Sequence, residues 1–157
     1  MKKKEIVRYT SEKISKREND NLLISRKCAE EGVVLLKNTG VLPIKKKKNI
    51  ALYGAGARKT VKGGTGSGEV NERKSISIEE GLKEIGYKIT TKDWIDNYDN
   101  IYEDAVKKWK EKVIDNQEES AKKAFIDTIA FTMPSGRIIT KEDVKKSKTD
   151  TAIYVIS

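Results

Sequence analysis

The chain has 157 residues, of which 36% are hydrophobic and 36% charged, with a net charge of +9 and no histidine. That length suits one domain. The absence of histidine excludes Ser-His and Cys-His nucleophile systems and histidine metal sites. Cys28 is the single cysteine, so it can form neither an internal disulfide nor a zinc site, and it fits a reducing cytoplasm. We therefore expect a cytoplasmic protein that uses no metal or other cofactor.

The positive charge is spread along the chain rather than concentrated. Lysines alternate with acidic residues in the predicted helices, and the densest run, Lys45–Lys48, precedes a strand, where a solvated loop is expected. Trp109 falls on an apolar helix face and is therefore not a base-stacking platform. We expect a solvated, lysine-rich surface and no nucleic-acid partner. No apolar run approaches the length of a membrane span, and Met1–Lys13 lacks the apolar core of a signal peptide.

The amino-terminal part divides into an arm and the start of a folded domain. Residues 1–18 are polar and weakly patterned, which predicts a loose arm, and residues 19–157 are predicted to form one domain. Asn19 or Asp20 could cap a first helix that runs to about Leu36, because apolar residues recur there at three- and four-residue spacing.

Apolar runs predict buried strands at Ile50–Tyr53 and Thr151–Ile156, and Tyr87–Thr90 is predicted as a further strand between them. Helical patterns separate the strands. A short helix is predicted after Ser77, with Leu82 and Ile85 facing inward and Gly86 ending it. Further helices are predicted from about Tyr98 to Asp115, from Glu118 to Phe131, and after Thr140. This order predicts an α/β fold with a largely parallel, helix-covered sheet, an incomplete three-layer α/β/α sandwich.

The last strand is followed at once by Ser157, the end of the sequence. In parallel sheets, ligands bind just beyond the carboxyl ends of the strands, so a functional loop is expected where this sequence stops. We therefore expect a truncated domain whose sheet has an unpaired edge and an uncovered apolar face. Such a chain should be marginally stable or should associate with itself or with its missing partner.

Two glycine-rich stretches follow the first strand, Gly54–Gly56 and Gly63–Gly68, and predict a long loop without regular structure. A dinucleotide fingerprint fails because Lys59 takes the position of its third glycine and no apolar helix follows. Thr65 and Ser67 alternate with glycines, which places hydroxyls and open backbone amides together, a surface suited to sugars. The alternative is a flexible connector.

Several ordered segments carry a family resemblance. Arg26–Asn38, with its Val-Leu-Leu-Lys-Asn ending, and then Leu42–Ile44 resemble the opening of the second domain of family-3 glycoside hydrolases. Gly63–Gly68 looks like the Gly-Gly-Gly-Ser-Gly loop of that family, with Thr65 in place of one glycine. The resemblance covers about residues 19–90.

The resemblance implies a two-domain enzyme that hydrolyses β-glycosides with retention, with an aspartate nucleophile on a barrel and a general acid/base, commonly Glu, on the α/β sandwich. For this chain it implies no catalytic residue. It implies a substrate-binding wall made of Gly63, Gly64, Thr65, Gly66, Ser67 and Gly68. The partners implied are a β-glucoside in the complete enzyme and a missing (β/α)8-type barrel. Members with swapped domain order would encode that barrel downstream of Ser157.

A competing interpretation is a stand-alone, basic α/β module that binds a sugar or an anionic ligand. Arg58, Lys62 and Arg73 flank the glycine-rich loop and could contact such a ligand, although solvation of these side chains is the simpler expectation. This interpretation explains the net charge but leaves the run Arg26–Pro43 unexplained. Salt-dependent binding of phosphate or DNA would favour it.

Overall fold

The computed structural model describes residues 13–44, 49–61, 63, 75–119, 122 and 131–156. They belong to two compact units, Met1–Lys45 and Lys46–Ser157, each of which is described by itself. Within the described ranges, no helix has both the length and the apolar character needed to cross a membrane.

In the first unit the structure describes helix α1, Lys16–Gly32, and the irregular stretch that follows it. Ser15 caps the helix. Its hydroxyl accepts a hydrogen bond from the Glu18 amide at 3.2 Å, and the Glu18 carboxylate accepts one from the Ser15 amide at 2.7 Å. The predicted cap at Asn19 or Asp20 was therefore wrong, because this reciprocal capping box satisfies the first free amides of the helix upstream of both residues.

Helix α1 also ends earlier than the predicted Leu36. Val33 already has extended backbone angles, φ −73° and ψ 127°, which suit the β-branched side chains of Val33 and Val34. Asn38 then closes a local turn, since its Oδ1 accepts from the amides of Gly40 and Leu42 at 3.0 and 3.1 Å. The first unit buries none of its helical residues.

The second unit contains a parallel three-stranded sheet in the order β2-β1-β3. Its strands are β1, Asn49–Tyr53, β2, Lys88–Ile89, and β3, Ala152–Tyr154. This confirms the predicted α/β class with a parallel sheet. The centre of β1 is buried, but β3 is an edge strand in which Tyr154 is 59% exposed. The prediction that the last strand is buried was therefore wrong, because within the part of the chain that the structure describes β3 has a strand neighbour on one edge only.

Among the described residues, three helices accompany the sheet: α2, Ile78–Glu84, α3, Lys92–Glu119, and α4, Lys141–Ser147. The capping boxes predicted at Ser77 and Thr140 are both present. Gly86, with φ +94°, follows α2 as predicted. Leu82 packs partly against the core, whereas Ile85 is 46% exposed and its predicted inward orientation was wrong.

Helix α3 begins well before the predicted Tyr98 because its first turn supplies the centre of the core. Trp94, Ile95 and Tyr98 are each at most 2% exposed. The Trp94 ring meets Tyr53 of β1 edge-on at 5.5 Å between centroids and stacks on Tyr98 at 6.1 Å. Gly136 lies so close to Trp94 that an added Cβ would come within 2.7 Å of the indole ring. An aromatic stack thus joins α3 to the central strand.

The later part of α3 shows the predicted stripe, in which Tyr102, Ala105, Val106, Trp109 and Val113 are half-buried. The predicted helix from Glu118 to Phe131 falls largely outside the described residues. Phe131 itself lies in irregular structure and contacts the rings of Tyr102 and Trp109, at 6.1 and 5.3 Å between centroids.

Replacement of Thr91 should destabilise the sheet. Where β2 has ended, the Thr91 hydroxyl accepts from the Leu52 amide at 2.8 Å and donates to the Leu52 carbonyl at 2.7 Å, so it substitutes for a strand neighbour. Thr91→Val keeps the shape but leaves two buried backbone groups without partners, and we expect a loss of about 3 kcal/mol in the free energy of unfolding. Thr91→Ser, which keeps the hydroxyl, should lose about 1 kcal/mol. Urea denaturation followed by circular dichroism measures both.

Gly54 gives a second stability test. It follows β1 with φ +99°, and an added Cβ would lie 2.1 Å from the Val155 carbonyl oxygen. Gly54→Ala should therefore cost about 3 to 5 kcal/mol, from backbone strain and steric overlap together. Gly81→Ala is the matched control, because in α2 the nearest atom to its Cβ is 3.9 Å away. That variant should gain up to about 1 kcal/mol, and equal effects of the two substitutions would contradict this account.

Candidate functional site

The carboxyl end of the sheet is the place where a parallel α/β fold presents its ligand-binding loops. At this end Gly54 directly follows β1, and a 3-10 turn, Ala55–Ala57, comes next. The Ala57 amide donates to the Gly54 carbonyl at 3.1 Å, and Ala57 is buried. The prediction of a loop without any regular element was therefore wrong for these three residues, because burial of the small alanine side chain favours a compact turn.

The predicted sugar-binding segment lies further along the same connection. Of its six residues the structure describes Gly63, which is exposed and sits in a bend. Gly64, Thr65, Gly66, Ser67 and Gly68 lie outside the described residues, so their role as a sugar-binding wall stays a prediction. The flanking Lys62 and Arg73 are outside as well, whereas Arg58 is described.

Arg58 is the centre of an ion-pair network that joins the end of β1 to two helices. Its Nε and Nη2 donate to the Glu79 carboxylate of α2 at 2.5 and 3.2 Å. Its Nη1 donates to Asp96 of α3 at 2.8 Å and also to Asp99. The Arg58 side chain is 25% exposed, while Glu79 and Asp99 are 3% and 20% exposed. Arg58 is thus paired rather than simply solvated.

The charges in this network support one another. Burial raises the pKa of the Glu79 carboxyl, but the hydrogen bonds from Arg58 and Lys83 outweigh it and bring the pKa below its ordinary value. The hydrogen bond to Glu79, opposed by desolvation and joined by those to Asp99 and Asp96, raises the pKa of Arg58. Both groups therefore stay ionised at neutral pH.

Lys59 and Thr60 are tethered as well. The Lys59 ammonium lies 3.5 Å from Asp99 and 5.1 Å above the centre of the Tyr102 ring. The Thr60 hydroxyl donates to the Gly56 carbonyl at 2.7 Å and accepts from the Ile78 amide at 3.1 Å, at the start of α2. We call Arg58, Lys59 and Thr60 the stem of the glycine-rich segment.

The Glu79 carboxylate at this end of the sheet is unsuited to proton donation. A retaining glycosidase needs one carboxyl that is protonated when the leaving oxygen departs, which requires a raised pKa. The pKa of Glu79 is lowered instead. Elsewhere, hydrogen bonds from Arg137 and Thr140 hold the pKa of Asp143 below its usual range. Within the described ranges, no group of three or more Cys, Asp or Glu side chains could hold a metal ion.

Sequence reasoning found the glycine-rich segment and named Arg58 as a flanking residue, but it missed the partners of Arg58. The nearest of them, Glu79, is 21 residues away in the chain. Glu79 belongs to a capped helix start, where an acidic residue is expected for helix electrostatics alone. No local signal distinguishes that role from an ion pair, so the network becomes visible only in the folded structure.

Comparison with known proteins assigns the sequence to a domain family. Residues 33–157 match the model of the Glycosyl hydrolase family 3 C-terminal domain. The chain therefore belongs to this family, which confirms the resemblance seen in the sequence. No solved structure matches the chain significantly.

A curated relative is beta-glucosidase A of Butyrivibrio fibrisolvens, which is 39% identical over 93 residues. The matched region is 59% of this chain and 10% of the relative. The chain thus spans about a tenth of the length of the curated relative that it matches.

Acid should weaken the Arg58 network through Glu79. Because folding lowers the pKa of this carboxyl from its ordinary 4.5, its contribution is present above that pH and is lost as the pH falls through the folded-state value. Glu79→Gln should cost about 2 kcal/mol of unfolding free energy at pH 7 and less at pH 3. Urea denaturation at both pH values measures the difference. The exposed Glu103→Gln on α3 should change the free energy by less than about 0.5 kcal/mol at either pH.

Proposed function

We propose that this chain is part of a retaining β-glycosidase of the β-glucosidase type, acting on a terminal β-linked sugar. Two findings support the proposal: the family match over residues 33–157 and the identity to a protein named beta-glucosidase A. The match to that relative covers a tenth of its length, so the hydrolytic activity belongs to a larger assembly in this proposal. The substrate of that complete enzyme is a carbohydrate.

The proposed contribution of this chain is the glycine-rich segment Gly63–Gly68, which would form one wall of the sugar site. Its position in the fold is the main support, because the segment belongs to the connection that leaves the carboxyl end of the central strand β1. Glycine lets the backbone approach a ligand closely, and Thr65 and Ser67 supply hydroxyls that can donate and accept hydrogen bonds. Both features suit a hydroxyl-rich ligand.

In this proposal the chain is inactive alone, and the nucleophile and the acid/base come from a (β/α)8-type barrel and from other parts of the sandwich. The chemistry of Glu79 supports this, since a carboxylate with a lowered pKa and two cationic partners is a poor general acid. The single cysteine also supports a reducing, cytoplasmic setting.

The net charge of +9 is the observation that supports the competing interpretation, an anion-binding module. The structure weakens it at one position, because Arg58 has Glu79, Asp96 and Asp99 as partners and has little charge left for a ligand. A role in sugar binding needs no free cation and is therefore favoured.

Ligand titration separates the two functions. We expect methyl β-glucoside to shift the backbone amide NMR signals of residues 63–68 in the isotope-labelled chain, with little dependence on salt. Ser67→Ala should weaken this binding about fivefold, the loss of roughly 1 kcal/mol for one hydrogen bond. The exposed Ser135→Ala is the control and should not change it. No hydrolysis of 4-nitrophenyl β-glucoside is expected from the chain alone.

The opposite result would be binding of inorganic phosphate, but not of the glucoside, that weakens steeply with salt. It would replace the glycosidase proposal with the anion-binding module. The coding DNA beyond codon 157 gives an independent check, because a barrel encoded there would support the larger enzyme and should restore hydrolysis when expressed with this domain.

A further inference from the structure

Helix α1 presents its whole surface to solvent. None of its residues is buried, and its three large apolar side chains, Leu22, Leu23 and Ile24, are 62 to 69% exposed. Consecutive residues of a helix point in directions about 100° apart, so these side chains cover more than half of its circumference near the middle. Contact of such apolar surface with water costs free energy that a partner would recover.

The two ends of α1 carry charges of opposite sign. Lys16 and Arg17 begin the helix, and Glu30 and Glu31 lie in its last turn. The helix dipole favours acidic residues at the amino end and basic residues at the carboxyl end, so this distribution is unfavourable for an isolated helix. Glu18, which also lies in the first turn, belongs to the capping box. An interaction outside the helix is therefore needed to make the end charges stabilising.

Ion pairs within α1 use these charges only weakly. Lys16 Nζ lies 2.6 Å from the Asp20 carboxylate, and Arg26 Nε lies 3.1 Å from the Glu30 carboxylate, but all four side chains are more than half exposed. Exposed pairs of this kind contribute little to stability. The order in which the cation precedes the anion along the helix is also the less favourable one. The charged groups thus stay accessible to a partner.

One face of α1 is complementary to its own reverse. The residues of this face recur at alternating spacings of four and three: Lys16, Asp20, Leu23, Lys27 and Glu30. Lys16 lies seven residues before Leu23 and Glu30 seven after it, while Asp20 lies three before and Lys27 four after. When two copies of α1 run antiparallel about Leu23, each cation therefore lies close to the level of an anion on the other copy.

We propose that α1 is an interface between two copies of this chain, which pair antiparallel across a two-fold axis near Leu23. Leu23 and Ile24 of both copies meet at the centre, and the basic end of each helix meets the acidic end of the other. Parallel pairing would instead place like charges side by side. Two helices of 17 residues bury less surface than a standard stable interface, so we expect a reversible dimer with a dissociation constant on the order of 100 µM.

Two reciprocal double variants of the full chain test this pairing. Lys16→Glu with Arg17→Glu makes both ends of α1 acidic, and Glu30→Lys with Glu31→Lys makes both ends basic. Each change agrees better with the helix dipole, so far-ultraviolet circular dichroism should show undiminished helix content. A loss of dimerisation could then not be attributed to loss of the helix.

Sedimentation equilibrium measures the dimerisation. We expect each double variant alone to dimerise at least tenfold more weakly than the unaltered chain, because like charges then face one another at both ends of the pair. An equimolar mixture of the two variants should dimerise about as tightly as the unaltered chain, since the mixed pair again sets opposite charges against each other.

The matched control is Lys107→Glu with Lys108→Glu on α3. These adjacent lysines are exposed, and Lys108 pairs with Asp104 at 2.7 Å, four residues away. The control changes the net charge by the same amount as the first double variant, so an effect of total charge would appear equally in both. We expect the control to dimerise within about twofold of the unaltered chain.

An unaltered chain that stays monomeric at about 1 mM, ten times the expected dissociation constant, would overturn the proposal. So would a dimer that both α1 double variants leave unchanged, because the contact would then lie elsewhere, for example on the edge of β3 that has no strand neighbour among the described residues. A parallel pair would also give this second result, since like charges face one another in all three chains. A mixture that dimerises no more tightly than either variant alone would refute the antiparallel arrangement.

Discussion

The contact of Tyr53 with Trp94 and the stacking of Trp94 on Tyr98 hold the larger unit together. Tyr53 ends the central strand, and the two other rings belong to the first turns of α3. Trp94 and Tyr98 are the largest fully buried side chains among the described residues. Because α3 is fixed there, Asp96 and Asp99 on the same turns come within reach of Arg58. The aromatic stack therefore determines where the ion-pair network can form.

Hydrophobic and ionic contacts are thus made by different residues in the first turns of α3. The face with Trp94, Ile95 and Tyr98 is apolar and closed, and the neighbouring residues Asp96 and Asp99 meet cations at the carboxyl end of β1. A buried carboxylate such as Glu79 is tolerated only because Arg58 and Lys83 both donate to it. The stem of the glycine-rich segment is the place where these two kinds of contact meet.

Features that depend on neighbouring residues in the chain were predictable from sequence. The capping boxes at Ser77 and Thr140 were found because their partners are three residues away, and β1 was found because a central strand is apolar throughout. The early start of α3 and the exposure of Ile85 were missed because tertiary packing decides them. For the candidate site, the glycine-rich segment was visible in the residues themselves, and its expected role as a wall of the sugar site came from the family resemblance. The partners of Arg58 had no sequence signal, since they lie 21 to 41 residues away.

The register of the sheet has a consequence for how the chain acquires its structure during synthesis. The central strand pairs with β2 through partners such as Ile50 and Ile89, but its other edge pairs with Ala152–Tyr154, which are synthesised later. The Thr149 hydroxyl donates to the Asn49 carbonyl, and these two residues are 100 positions apart in the sequence. Pairings this distant in sequence form slowly and leave an open strand edge in the meantime. A ribosome-bound chain that ends before β3 therefore leaves one edge of the central strand β1 unpaired, which makes it prone to aggregation at that stage.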